Sequence, residues 1–103
     1  MKKTRKDSIR QYFGDVWNVI PTDRYRTAYD IAEELGINHS TVRRVVKDIR
    51  QNGLPIVTDL HYGYKKASTD TEIWLCIREL EDRVSALQDT ISTLKRMTKG
   101  EEQ

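Results

Sequence analysis

A single cysteine, Cys76, stands among the 103 residues, so neither an intramolecular disulfide nor a cysteine-rich zinc site can form within the chain. A reducing compartment is expected. No apolar run approaches the roughly 18 residues that a membrane span needs. None follows the short polar and basic start Met1-Lys2-Lys3-Thr4-Arg5-Lys6 in the manner of a signal peptide. These absences predict a cytoplasmic protein without membrane contact. Chemistry is missing as well. There is no metal-ligand spacing, no glycine-rich loop to cradle phosphate and no nucleophile beside a base, which argues against an enzyme and against any cofactor. The carboxylates Glu33, Glu34, Asp48 and Asp59 read as helix-face and turn residues, and His61 as a surface residue. No internal repeat or low-complexity block appears.

What is present is a modest core and an uneven charge. Hydrophobic residues make up 37% and charged residues 33%, a balance that fits a folded soluble domain rather than a disordered chain. Two Trp, five Tyr and one Phe supply the large apolar surfaces that a core of this size needs. The net charge of +2 hides an asymmetry: Met1 to Lys66 carries thirteen Lys and Arg against eight Asp and Glu, and Ala67 to Gln103 five against eight. A basic front suits a polyanion, and an acidic back has another task.

Periodicity places the elements. Ile9, Tyr12, Phe13, Val16, Trp17 and Ile20 fall on one helical face, predicting a helix from about Ser8 to Ile20, capped by Asp7 or Ser8 and ended at Pro21. Thr22 to Arg26 is a connector with a candidate short strand around Tyr25. Thr27 is a candidate N-cap with Asp30 at the capping-box position, opening a short helix Ala28 to Leu35 that turns Ile31, Ala32 and Leu35 inward. Gly36 is placed to close it in a left-handed conformation. Asn38 then caps a third helix from His39 to about Asn52, ended by Gly53. Two short helices around a tight turn form a helix-turn-helix signature. Beyond it, Ile56-Val57-Thr58, a turn at Tyr62-Gly63 and Tyr64-Lys65-Lys66 predict a hairpin, with Pro55 just ahead of the first strand.

The third helix carries the candidate function. In projection Val42, Val45, Val46 and Ile49 share one side, and Ser40, Arg44, Lys47 and Gln51 lie opposite, with Arg43 on the flank. A helix that buries valines and presents cations and small hydroxyls suits the DNA major groove, where Arg grips guanine bidentately. Its capped N-terminus favours a nearby phosphate, with His39 at the helix start. Taken alone, Arg43, Arg44, Lys47 and Arg50 would read as a solvated face. The short helix before them and the hairpin after them turn the reading toward DNA.

The segments Tyr29-Asp30-Ile31-Ala32-Glu33-Glu34-Leu35-Gly36-Ile37, Ser40-Thr41-Val42-Arg43-Arg44, Asp48-Ile49-Arg50-Gln51-Asn52-Gly53-Leu54-Pro55-Ile56 and Gly63-Tyr64-Lys65 resemble the winged helix-turn-helix of the biotin-operon and sugar-operon repressors. The resemblance covers about Ser8 to Lys66. It implies that the third helix reads the major groove and that the wing touches backbone or minor groove. By position, Ser40, Thr41, Arg43, Arg44 and Lys47 would contact DNA, Thr27 and Tyr29 would meet phosphate, and Tyr62 and Lys65 would serve from the wing. Residues 67–103 do not resemble the ligase or sugar-sensing domain of those repressors, so neither catalysis nor metabolite sensing is expected to carry over. The wing Asp59-Leu60-His61-Tyr62-Gly63 has one glycine where the family often has several, and is bulkier and less basic at its tip.

From about Thr69 or Asp70 to Met97 there is neither Gly nor Pro, and Ile73, Ile77, Leu80, Val84, Leu87, Ile91 and Leu94 follow one another at alternating spacings of four and three. This is a heptad seam for self-association over residues 73–94. β-Branched Ile77, Val84 and Ile91 at position a, with Leu at d, favour a parallel pair. Glu81 facing Lys95 would suit an antiparallel one, and the alternative cover for the seam is the chain's own winged domain. The expected architecture is mainly α with a small β-hairpin: a basic arm over residues 1–7, a winged helix-turn-helix over 8–67, a coiled-coil helix over 69–98 and a disordered tail over 99–103. The basic arm reads equally as a minor-groove arm or a solubilising tail. The functional expectation is a small homodimeric, sequence-specific regulator of bacterial or phage-like style that reads an inverted repeat in double-stranded DNA. The other readings are an adaptor that binds a protein partner in a replication or recombination assembly, and non-specific nucleoid-type binding.

Overall fold

The computed structural model describes residues 9–98. The expected basic arm, the Asp7 or Ser8 cap and the C-terminal tail lie outside the described residues. The elements run α1 Phe13–Val19, α2 Ala28–Leu35, α3 His39–Gln51, β1 Ile56–Asp59, β2 Gly63–Lys66 and α4 Asp70–Met97. This is a winged helix-turn-helix followed by a long C-terminal helix.

The apolar stripe from Ile9 to Ile20 predicts one helix, but the chain breaks it. Ile9 and Arg10 are helical, Gln11 and Tyr12 form a turn, and α1 begins only at Phe13. Tyr12 sits at φ −97°, ψ 2°, and its N–H donates to the Ile9 carbonyl at 3.1 Å, the tighter closure of a 3₁₀ turn. The stripe itself survives the break. Val16 and Ile20 are fully buried, and Ile9, Tyr12, Phe13 and Trp17 pack against the same core. Ile20 ends the helix in an extended conformation, as the Pro21 ring requires of the residue before it.

Caps set the next two helices. The Thr27 hydroxyl accepts from the Asp30 N–H at 3.0 Å, satisfying one orphan donor at the start of α2. Gly36, at φ 69°, ends that helix, its own N–H and that of Ile37 both reaching the Ala32 carbonyl. Two residues later the Asn38 Oδ1 accepts from the Ser40 N–H at 3.1 Å and opens α3. The core lies where these helices meet: Ala28, Ile31 and Ala32 from α2, and Val42, Val45, Val46 and Ile49 from α3, close over Val16 and Ile20. α3 therefore buries one stripe and holds the opposite one outward.

The hairpin pairs Ile56 with Lys66, Val57 with Lys65, Thr58 with Tyr64 and Asp59 with Gly63. Its turn is tied by the Asp59 Oδ1, which accepts from the N–H groups of His61 and Tyr62 at 2.8 and 3.0 Å. The strand expected around Tyr25 is a single bridge one residue later. Arg26 and Tyr64 exchange both backbone hydrogen bonds, at 2.8 and 2.7 Å. α4 opens with a capping arrangement in which the Thr69 hydroxyl accepts from the Glu72 N–H and the Glu72 carboxylate accepts from the Ser68 N–H. The chain divides into two compact units between Ile73 and Trp74. Beyond that point α4 continues to Met97, and none of its residues is buried.

Candidate nucleic-acid interface

The four cations of α3 are not equivalent. The Arg50 guanidinium turns toward the hairpin, donating to the Ile56 carbonyl at 2.8 Å and to the Thr58 hydroxyl. Arg43 donates to His39 Nδ1 at 2.7 Å and lies 5.5 Å from the Tyr29 ring centroid. Arg44 and Lys47 are exposed and make no hydrogen bond or ion pair among the described residues. They line, with Ile9, Asp48 and Gln51, a shallow cleft on the outer side of the helix. Asp48, the one acid of α3, is paired with Arg10 at 3.2 Å, so its charge does not oppose the two free cations unneutralised. Ser40 is exposed, its hydroxyl bonded to Asn38 Oδ1 at 3.1 Å, and Thr41 is half-buried beside it.

The start of α2 meets the start of α3. Tyr29 is 61% exposed, and its ring stacks at 4.2 Å between centroids on His39. Tyr29, His39 and Arg43 thus form one cluster at the end of α3 where helix N–H groups point outward. Thr27 is half-buried and occupied as the cap of α2. Arg26, next to it, is a structural hub rather than a surface cation. It bridges Asp30 and Glu34, each at 2.5 Å, and reaches the Val19 carbonyl at 3.2 Å. The Asp30 hydrogen bond, with Glu34 behind it, raises the Arg26 pKa against the opposing effect of burial.

The wing departs from expectation at Lys65. The resemblance implies a contact to DNA there, yet Lys65 is buried and its ammonium donates to the Glu72 carboxylate, with the Tyr25 ring 6.0 Å away. The register explains it: Lys65 shares a face with Val57, on the side of the hairpin opposite Ile56 and Tyr64 of the core, and there its ammonium meets the first turn of α4 instead of solvent. Glu72 responds, its carboxyl held below the usual range by the Lys65 hydrogen bond first and the Ser68 N–H second. Lys66 lies over the Trp17 ring at 4.3 Å. What the wing offers outward is Leu60, Tyr62 and His61, the first two about two-thirds exposed. The Thr69/Glu72 pair has a signal in the sequence, a threonine followed three residues later by a glutamate, whereas nothing in the sequence marks Leu60 as more than part of a bulky wing tip.

The expected seam residues all lie on α4. Ile73 and Ile77 are half-buried, while Leu80, Val84, Leu87, Ile91 and Leu94 are 40% to 63% exposed. Trp74, Leu75 and Met97 are exposed beside them. Among the described residues no helix is long and apolar enough to cross a membrane, and no group of three or more His, Cys, Asp or Glu is placed to hold a metal ion.

A helix-turn-helix with a wing behind it, presenting two unpaired cations on the outward side of its second helix, defines the class. Residues 18–65 match the family model described as an HTH domain, a stretch that opens within α1 and closes within β2. No curated protein matches the chain. Among solved structures, a GntR family transcriptional regulator from Listeria monocytogenes is similar at 14% sequence identity and a TM-score of 0.44, over 98% of this chain and 88% of that one.

Proposed function

We propose that the chain is a sequence-specific double-stranded DNA-binding protein, a small homodimeric transcriptional regulator of bacterial or phage-like style. α3 enters the major groove, with Arg44 and Lys47 as its principal readers and Ser40 and Thr41 beside them. Tyr29, His39 and Arg43 meet phosphate at its leading end, and Tyr62 approaches from the wing. The observation that carries this reading is the sorting of cations on α3: Arg50 is held by the hairpin and Arg43 by His39, while Arg44 and Lys47 stand free on the face opposite the buried valines. Lys65, paired with Glu72, has no place in the contact surface. The likeness to biotin-operon and sugar-operon repressors rests on the sequence segments from Tyr29 to Lys65. The seam of α4 joins two chains, and a parallel pair carries two reading helices to an inverted repeat.

The test is selection from a random duplex library with the purified protein, followed by Arg44→Ala and Lys47→Ala. An enriched inverted repeat is expected. Arg44→Ala should weaken it by about 1–3 kcal/mol and relax preference at one base pair. Loss of Lys47 should lower affinity with a smaller change in preference. No enrichment, with a steep salt slope on every duplex, would leave only non-specific binding. Unchanged affinity in both variants at low salt would turn the reading toward an adaptor of protein partners, which the exposed Leu60 and Tyr62 of the wing would then serve.

A further inference from the structure

Resting on that reading, we infer that His39 is a proton-controlled latch on Arg43, coupling DNA affinity to pH at the leading end of α3. A guanidinium has only donors, so the 2.7 Å contact between Arg43 Nη1 and His39 Nδ1 requires that Nδ1 accept. For that contact to be a hydrogen bond the imidazole must be neutral, with its proton on Nε2. In this state Arg43 is doubly held, by the imidazole and by the face of the Tyr29 ring, and lies on the flank of the helix. Protonation of Nδ1 removes the acceptor and sets two cations one helical turn apart. Arg43 is released, and the imidazolium gains a second N–H.

The surroundings decide which way the coupling runs. The groups facing His39 among the described residues are Arg43 on its own helix and the Tyr29 phenol ring from α2, with Glu33 one turn beyond Tyr29 on the same face. The other two acids of α2 near that end, Asp30 and Glu34, are turned to Arg26. The positive end of the α3 dipole lies at His39 as well. In the free protein an imidazolium at this spot meets a guanidinium and a helix N-terminus, both of like sign. A bound phosphate reverses that balance, since it accepts from the released guanidinium and from the imidazolium together. DNA binding thus takes up a proton, and affinity rises as pH falls.

Two measurements test the latch on the full chain. The first is the ¹⁵N spectrum of the imidazole in the free protein. Neutral His39 should show the Nε2–H form, and the Arg43 guanidinium signals should move in step with its titration while those of Arg44 stay still. A dominant Nδ1–H form, or Arg43 signals indifferent to the titration, would overturn the latch. The second is affinity for the selected duplex between about pH 5 and 8, the interval in which an imidazole changes charge. Affinity should rise toward low pH by at most about tenfold per unit for a single half-site, the limit for one proton, and by at most about a hundredfold for a dimer on both half-sites. The rise should vanish in His39→Asn and persist in His61→Asn. An equal slope in His39→Asn, or no slope in the parent, would sink the coupling. Were no duplex bound at any pH, the DNA-binding reading itself would fail, and the imidazole spectrum would still decide whether Arg43 is latched.

Discussion

Glu72 shows how one side chain sets the character of a whole surface. Its carboxylate accepts from Ser68 at the start of α4 and from the Lys65 ammonium, which withdraws that cation from solvent. The charged form is the one these partners hold, so the folded pKa lies below that of the unfolded chain. A group of that kind contributes stability that is fully present above its unfolded pKa and is lost as pH falls through the folded one. Glu72→Gln should therefore lower the thermal midpoint at neutral pH, where the carboxylate is charged. The gap between parent and variant should close as pH falls through the carboxylate range, because the parent then carries a neutral acid at the same place. Thermal melts of both proteins across that range check it, and a gap that stays constant in acid would deny the pairing its role. Arg26 offers no such handle, since its raised pKa lies where no accessible pH removes the proton.

Where the hairpin joins the helices, backbone decides more than side chains do. Gly63 opens β2 at φ +100°, and a Cβ built there would lie 2.1 Å from the Arg26 carbonyl oxygen, which accepts from the Tyr64 N–H. Gly63→Ala meets both a left-handed backbone and a collision with main chain, so it should cost more than about 1 kcal/mol and free the hairpin from Arg26. Denaturant unfolding gives the magnitude, and hydrogen exchange at the Arg26 and Tyr64 amides should accelerate first. Thr27, Gly36 and Asn38 announce the ends of α2 and α3 because capping is local chemistry, and the valines of α3 announce its buried stripe by spacing alone. The break at Gln11–Tyr12 is hidden, since the apolar period runs through it unaltered. The candidate site is legible at Arg44 and Lys47, which follow from helical projection. It is hidden at Lys65 and Arg50, whose partners lie across turns where sequence distance says nothing of approach. The contact between His39 and Arg43 sits at the spacing of one helical turn, which the sequence displays, but the stacking of His39 on Tyr29 depends on how α2 meets α3.

At the scale of the whole molecule the unresolved demand is the seam of α4. The helix is 28 residues long, about 42 Å at 1.5 Å per residue, and has no buried residue. A helix draws most of its stability from covering an apolar face, and here five successive seam residues from Leu80 to Leu94 stand 40% or more exposed. Full burial of each such side chain contributes about 1.5–3 kcal/mol. A second copy of the same helix is the proposed cover, because the spacing of four and three matches the facing seam of an identical partner without any change of register. Ile77, Val84 and Ile91 at a, with Leu80, Leu87 and Leu94 at d, favour the parallel pair, which brings both helix N-termini, and so both reading domains, to one end. Leu87→Glu puts a charge in the middle of that seam. Sedimentation should show a dimer for the parent and a monomer for the variant, with helical circular dichroism falling as α4 loses its cover. Affinity for the two-half-site duplex should drop toward that for a single half-site, while affinity for the single half-site itself stays unchanged, since Arg44 and Lys47 are untouched. A parent that sediments as a monomer at every concentration would deny the coil. A variant that loses single-site affinity as well would mean that α4 supports the reading domain directly rather than by pairing two of them.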